Sequence, residues 1–143
     1  MYIKQISVFI ENLKGRLADI LDVIAKSGID IRALSLADTT NFGILRLIVD
    51  KPHEAEEALK QAGYTVSLTA VIAIEIDDTP GALAKALRVL SDNNISIEYL
   101  YAFLSKKKGC ASVILRVDDS DKAVEVLDGN GAVFLSDRDI EES

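Results

Sequence analysis

The chain has 143 residues, of which 49% are hydrophobic, so it can bury a substantial core. Its net charge of -7 disfavours a nucleic-acid partner, because phosphates attract clustered basic residues. One cysteine cannot form an internal disulfide, and no apolar run approaches the roughly 20 residues that cross a bilayer, so we expect a cytoplasmic protein without a membrane partner.

The first half of the chain predicts the element order β-α-β-β-α-β. Residues 5–10 alternate between apolar and other side chains as a strand does. An amphipathic helix is expected from Gly15 to Gly28, where glycine suits the left-handed conformation beyond a helix end. The other expected elements of this half are strands at residues 29–37, 44–49 and 64–68 and a helix from Pro52 to Gly63.

The second half repeats this order from Thr69 onward. The apolar helical stripe that begins at Leu17 recurs from Leu83, 66 positions later. The offset grows by two further on, so a short insertion is expected near residues 116–120. No Gly or Pro separates the halves, and the acidic tail from Asp137 is expected to fray. Strands of this half are expected at residues 71–76, 95–103, 110–117 and 132–135.

The repeat predicts an α+β protein built from two ferredoxin-like βαββαβ units, at residues 1–68 and 69–143. In each unit an antiparallel sheet carries both helices on one face. A unit of about 70 residues has a marginal core, so the units should rest on each other or on a second chain, as in a homodimer.

Each unit opens with a strand, a glycine turn and a helix. A glycine at such a turn lets a ligand approach the backbone, and free N–H groups at a helix start favour a carboxylate. Asn12 or Asp78 could then meet an ammonium group of the ligand. The alternative is that Gly15 and Gly81 only form the turn, with Asp78 or Thr79 capping the helix.

The residues around these turns resemble the signature of ACT domains. Residues 12–17 (Asn-Leu-Lys-Gly-Arg-Leu) and 78–83 (Asp-Thr-Pro-Gly-Ala-Leu) each follow an apolar strand. The helix after each turn leads into residues 28–31 (Gly-Ile-Asp-Ile) or 94–97 (Asn-Ile-Ser-Ile). The resemblance covers nearly the whole chain as two ACT copies without an attached enzyme, and the chain, including residues 37–46, is similar to the free-standing tandem ACT proteins.

The resemblance implies a non-catalytic regulatory protein that binds an amino acid or a related small carboxylate at an interface between ACT domains. It implies a partner enzyme of amino-acid metabolism, and neither a cofactor nor a metal ion. The copies differ in charge at the positions of Asn12 and Asp30, so the use of one or both sites stays open. The implied ligand-binding residues are Asn12, Leu13, Gly15, Arg16, Leu17 and Asp30 in the first copy and Asp78, Thr79, Gly81, Ala82, Leu83 and Ser96 in the second.

Other side chains with chemical potential favour structural roles. The aromatic residues within 99–103 predict packing more than a binding platform. The acidic run 118–121 predicts a turn and a helix cap, because it lacks the spacing of a calcium loop. His53 is expected to be an exposed helix residue, and Cys110 a buried small hydrophobe.

Proteins of unrelated function share the βαββαβ fold, so two other functions stay open. The chain could be a regulatory subunit or assembly module that acts through protein contacts without a ligand. A remote alternative is a small acylphosphatase-like hydrolase in which Arg16 holds a phosphate, although the longer glycine-rich loop of those enzymes is absent from the sequence.

Overall fold

A computed structural model of the chain describes residues 2–11, 14–38 and 41–142. It confirms the predicted α+β class and the twofold βαββαβ order. In chain order the elements are β1 (Tyr2–Glu11), α1 (Arg16–Lys26), β2 (Ile31–Asp38), β3 (Phe42–Val49), α2 (Pro52–Gln61), β4 (Thr65–Asp77), α3 (Ala82–Asp92), β5 (Ile97–Leu104), β6 (Cys110–Val117), α4 (Ser120–Gly129), β7 (Val133–Phe134) and α5 (Asp137–Glu141).

The chain divides into two compact units. The first unit comprises Lys4–Ala70 together with the residues from Arg138 onward, and the second comprises Val71–Asp137 together with the residues up to Ile3. Each unit therefore includes a short terminal segment from outside its own half of the chain. Two strands, β1 and β4, contribute residues to both units.

The sheet of the first unit has the strand order β2-β3-β1-β4, and β3 pairs antiparallel with both β1 and β2. Leu45 of β3 lies opposite Val8 of β1 on one side and opposite Leu36 of β2 on the other. The apolar stripes of α1 and α2 pack on the face where Val8 and Leu45 lie. The buried core of this unit is formed by Ile6, Val8, Ile10, Ile20, Ile24, Ile29, Leu45, Leu47, Val49, Ala55 and Leu59.

The second unit repeats this arrangement. β6 pairs antiparallel with β4 and β5, and β7 pairs antiparallel with the opposite side of β4. Ile74 of β4 lies opposite Val113 of β6 and Phe134 of β7. The buried core of this unit is formed by Ile72, Ile74, Leu90, Ile95, Val113, Leu115, Val117, Ala123 and Leu127.

None of the helices in the described part of the chain has the length and apolar character that crossing a membrane requires.

The strands predicted at residues 64–68 and 71–76 are one strand in the structure. β4 runs for 13 residues from Thr65 to Asp77 without a break. No residue with a preference for turns lies between the two predicted segments, and β-branched residues continue through the gap, so the chain has no local reason to turn there.

The predicted fraying of the acidic tail is wrong. Residues 137–141 form α5, and the side chain of Ile140 is only 4% exposed. The insertion expected near residues 116–120 also lies elsewhere. β5 begins 66 positions after β2 and β6 begins 68 positions after β3, which places the two extra residues in the β5–β6 hairpin.

The hydroxyl of Tyr2 donates a hydrogen bond of 2.5 Å to Oδ1 of Asp121 in the second unit. This hydrogen bond, helped by burial and by the charges of Asp121 and Asp119, raises the pKa of Tyr2 from 10.0 to about 12. Since the folded-state pKa is the higher one, the contribution of Tyr2 to stability is complete below about pH 10 and is lost as the pH rises through about 12.

We therefore expect one tyrosine to ionise well above the usual range when the folded protein is titrated and followed by near-ultraviolet absorbance. Tyr2→Phe should remove that late ionisation, and its deficit in unfolding free energy should shrink between pH 10 and 12. Ionisation of every tyrosine near the ordinary value would contradict this expectation.

Candidate functional site

The two strand-to-helix turns have the same backbone geometry. Gly15 has a φ of 84° and Gly81 a φ of 87°, and both residues are the N-caps of the helices that follow, α1 and α3. A Cβ built on either glycine would meet no atom within 4 Å beyond its chain neighbours. The left-handed backbone, and not crowding, is therefore what requires glycine at these positions.

No described side chain caps α1 or α3. At the start of α3 the backbone N–H of Ala82 donates to the carbonyl of Thr79 at 3.2 Å, and the N–H of Asp78 donates to the carbonyl of Gly109 at 2.8 Å. The predicted capping by Asp78 or Thr79 is wrong, because Gly81 occupies the N-cap position. Among the described residues, the backbone donors of the first helical turn consequently have no side-chain cap.

A cavity of about 280 Å³, the first pocket, lies in the first unit beside its turn. Arg16 extends along this pocket and forms an ion pair of 3.8 Å with Glu11. The pocket also meets the end of α2, where Gly63 has a φ of 92°. Its walls are formed by Phe9, Ile10, Glu11, Arg16, Phe42, Ala62, Gly63, Tyr64 and Thr65.

A larger cavity of about 570 Å³, the second pocket, lies in the second unit. It is bounded by the turn at Gly81, the first turns of α3 and the end of α4. Lys85 brings a positive charge to its wall, while Asp77 and Glu75 bring negative ones. Its walls are formed by Ile74, Glu75, Ile76, Asp77, Thr79, Pro80, Gly81, Ala82, Lys85, Ala86, Val89, Leu127, Asn130, Gly131, Ala132 and Val133.

The two pockets occupy equivalent places in the repeat. Apart from Phe42, each residue of the first pocket has a counterpart 66 or 68 positions later in the wall of the second. Three bulky side chains of the first pocket are replaced by smaller ones in the second. These pairs are Phe9 and Glu75, Arg16 and Ala82, and Tyr64 and Ala132.

The helix starts at the two pockets also differ in charge. α1 carries Asp19 in its first turn, and this carboxylate complements the positive end of the helix dipole. α3 has no acidic residue in its first turn, and Lys85 stands at the position equivalent to Asp19. The second pocket therefore has the more positive helix start, where an external carboxylate is favoured more strongly.

Asp30 and Ser96 lie at the other end of their helices. The backbone N–H of Asp30 donates to Oδ1 of Asp50 at 2.9 Å, and that of Ser96 donates to Oδ1 of Asp118 at 3.0 Å. In return the N–H groups of these aspartates donate to the carbonyls of Asp30 and Ser96. This repeated brace fixes where β2 and β5 begin, and it was not predicted from the sequence.

One unit cannot bring its turn and its second strand to the same small ligand. α1 has 11 residues and separates Gly15 from Asp30. At 1.5 Å per residue the helix is about 16 Å long, which exceeds the reach of an amino acid. A site that uses both groups requires two units or two chains.

The structure therefore assembles part of the predicted site. Thr79, Gly81 and Ala82 lie together in the wall of the second pocket, and Arg16 lies in the first. The other members are distributed differently. Leu17 and Leu83 pack against the cores, Asp78 is exposed beside the turn, and Asn12 and Leu13 lie outside the described residues.

Sequence reasoning missed the helix-end side of both pockets. Lys85, Asn130 and Gly131 line the second pocket, yet none was predicted to contact a ligand. The sequence did offer one signal for this side of the pockets, a glycine after the second helix of each half, at Gly63 and Gly131. In the structure both glycines have a left-handed backbone.

The remaining candidates have structural roles. Asp119 caps α4 as predicted, accepting a hydrogen bond of 3.1 Å from the N–H of Lys122. Cys110 is only partly buried; burial, and then a hydrogen bond to Glu75, raise the pKa of its thiol. His53 is exposed on α2, and the described residues contain no group of three His, Cys, Asp or Glu that could hold a metal ion.

With this geometry established, the chain can be compared with known proteins. The family model of the ACT domain pair matches residues 1–143. The chain belongs to the ACT domain pair family. The recognition of tandem ACT domains from the two turn motifs is thereby confirmed. The family is regulatory and typically non-catalytic.

Solved structures show the same ACT pair fold. Protein BT0572 from Bacteroides thetaiotaomicron is similar with a TM-score of 0.92 at 40% identity, over 100% of this chain and 98% of that one. The ligand-free regulatory subunit of aspartate kinase from Thermus thermophilus gives a TM-score of 0.62 at 20% identity, over 90% and 92% of the two chains. The corresponding subunit from Thermus flavus gives 0.61 at 19% identity, over 97% and 90%. Among proteins of curated function no significant sequence match is found.

The left-handed glycine of the second ACT turn can be tested against a matched glycine. Gly81→Ala should lower the free energy of unfolding by about 1–2 kcal/mol, because an L residue is strained in this conformation. Gly129, in α4, has no neighbouring atom within 4 Å of a built Cβ and no positive φ. Gly129→Ala should therefore stabilise the protein by about 0.4–1 kcal/mol. Urea unfolding measures both effects, and a change in the same direction for both variants would contradict the explanation.

Proposed function

We propose that this ACT domain pair is a non-catalytic sensor that binds an amino acid or a related small carboxylate where two ACT units meet. Ligand binding favours one arrangement of the units, and a partner enzyme of amino-acid metabolism responds to that arrangement. The observation that carries the proposal is the repeated turn, left-handed at Gly15 and Gly81, whose helix start has no side-chain cap among the described residues.

The second pocket is the better supported place for the ligand. Its volume of about 570 Å³ lies within the roughly 300–1,000 Å³ that is typical of small-molecule sites. The start of α3 and Lys85 attract a carboxylate, whereas Asp77 and the carbonyl end of α4 attract an ammonium group. These opposite charges on one wall suit a zwitterion.

The requirement for two units supports binding at an interface. In the proposed site the ligand carboxylate lies at a turn, and the ammonium group also meets the residue that begins the second strand of another unit, Asp30 or Ser96. Within one unit the turn and the residue before the second strand are separated by the length of a helix. Asp30 or Ser96 therefore comes from another unit or from a second copy in a homodimer.

A thermal-shift screen against the twenty amino acids and their 2-oxo acids tests the proposed function. A ligand present at about 100 times its dissociation constant should add roughly 2.7 kcal/mol, which raises the melting temperature by several degrees in a chain of this size. Failure of every compound at millimolar concentration would contradict the proposal and favour an assembly module.

A pair of leucine substitutions tests the location. Ala82→Leu places a bulky uncharged side chain in the second pocket directly beside the turn at Gly81, so a melting-temperature shift produced by an amino acid should fall to a small fraction of its wild-type value. Ala84→Leu is the matched control, because Ala84 is exposed on the same helix and does not line the pocket. If both variants keep the full shift, the ligand does not bind in the second pocket.

A further inference from the structure

Arg32 of β2 connects residues that are more than 100 positions apart in the first unit. Its guanidinium forms an ion pair with the Asp30 carboxylate. The same group donates hydrogen bonds to the carbonyls of Ile140 and Glu141, at 3.0 Å from Nε and 3.1 Å from Nη2. The Arg32 side chain is only 17% exposed, whereas the Asp30 side chain is 66% exposed and so is open to a ligand.

Arg32 is one of the anchors of residues 138–142. This segment contains most of α5, and a helix of five residues is not stable by itself. Ile140 is its one buried side chain among the described residues. The last carbonyls of a helix have no partner within the helix, and Arg32 supplies donors to two of them. Ile140 and Arg32 thus both contribute to docking of the segment.

Among the described residues of the second unit, no counterpart of this contact is found. The positions equivalent to Asp30 and Arg32 are Ser96 and Glu98. A glutamate has no N–H group to offer a carbonyl, and Glu98 instead lies 4.0 Å from the guanidinium of Arg116. Among the described residues, the Arg32 contact therefore belongs to the first unit. It includes Asp30, which was expected to meet the ligand.

We propose that residues 138–142 form a strap whose docking on the first unit is coupled to the occupancy of Asp30. The coupling rests on the proposed function, in which the ligand ammonium group meets Asp30. Without ligand, the Asp30 carboxylate orients the guanidinium that holds the strap. A ligand ammonium group that pairs with the Asp30 carboxylate competes with the Arg32 guanidinium for it. The guanidinium then loses the partner that orients it, so the strap loosens. By linkage, loosening the strap raises the affinity for that ligand by the same factor.

Methyl NMR of isoleucine-labelled protein tests the anchor without any ligand. In Arg32→Ala the Ile140 δ1-methyl signal should move from a buried position towards its random-coil position, while the other isoleucine signals keep their places. Arg138→Ala is the matched control, because Arg138 is 82% exposed and pairs with Glu142 on the same segment. An unmoved Ile140 signal in Arg32→Ala would overturn the strap.

The same signal tests the coupling, with glycine and then each of the other amino acids as probes. An amino acid that raises the melting temperature should move the Ile140 signal towards random coil, and should bind several-fold more tightly to Ile140→Ala than to the wild type. Asp30→Asn should lose the Ile140 response. Binding that leaves Ile140 unmoved would overturn the coupling and leave the proposed function intact. Absence of any thermal shift would overturn the proposed function and the coupling together, while the anchor experiment decides the strap separately.

Discussion

Burial of two amphipathic helices against one face of a sheet is the constraint on which the rest of each unit depends. A fully buried side chain of the size of Ile20 or Leu90 contributes about 1.5–3 kcal/mol, and a unit of this size has few of them to lose. The helix must therefore start directly after the strand and lie back over it. The turn that permits this reversal is left-handed, and it exposes the backbone donors of the helix start as a consequence.

The repeat shows how one fold supports two different pockets. The left-handed glycines at and near the pockets are retained in both halves, at Gly15 and Gly81 and at Gly63 and Gly131. Several of the side chains that line the pockets are not retained. Arg16 lines the first pocket and Asp19 complements the dipole at its helix start, whereas Ala82 takes less space in the second pocket and Lys85 leaves its helix start positive. The backbone geometry of the turns is thus the same in both copies, while several of the side chains that line the pockets differ.

The features that depend on local periodicity could be predicted from the sequence. Helical spacing, strand alternation and left-handed glycines are decided within a few residues, so the twofold βαββαβ order and both turns follow from them. The contact between Arg32 and Ile140 could not be predicted in the same way. Their contact is between residues far apart in the chain, and the composition of the acidic tail alone favours disorder. The helix-end walls of the pockets, at Asn130 and Gly131, were missed for a related reason, because no local pattern brings the end of α4 to the start of α3.

The terminal segments have a consequence for how the protein can be divided. Cutting the chain between Ala70 and Val71 removes the residues up to Ile3 from the second unit and those from Arg138 onward from the first. It also divides β4 in the middle of a continuous strand. Neither half expressed alone would then contain a complete unit, so the boundary of the repeat in the sequence is not the boundary of either compact unit. Expression of one ACT unit would therefore require the terminal segment from the other half of the chain together with the half that carries most of that unit.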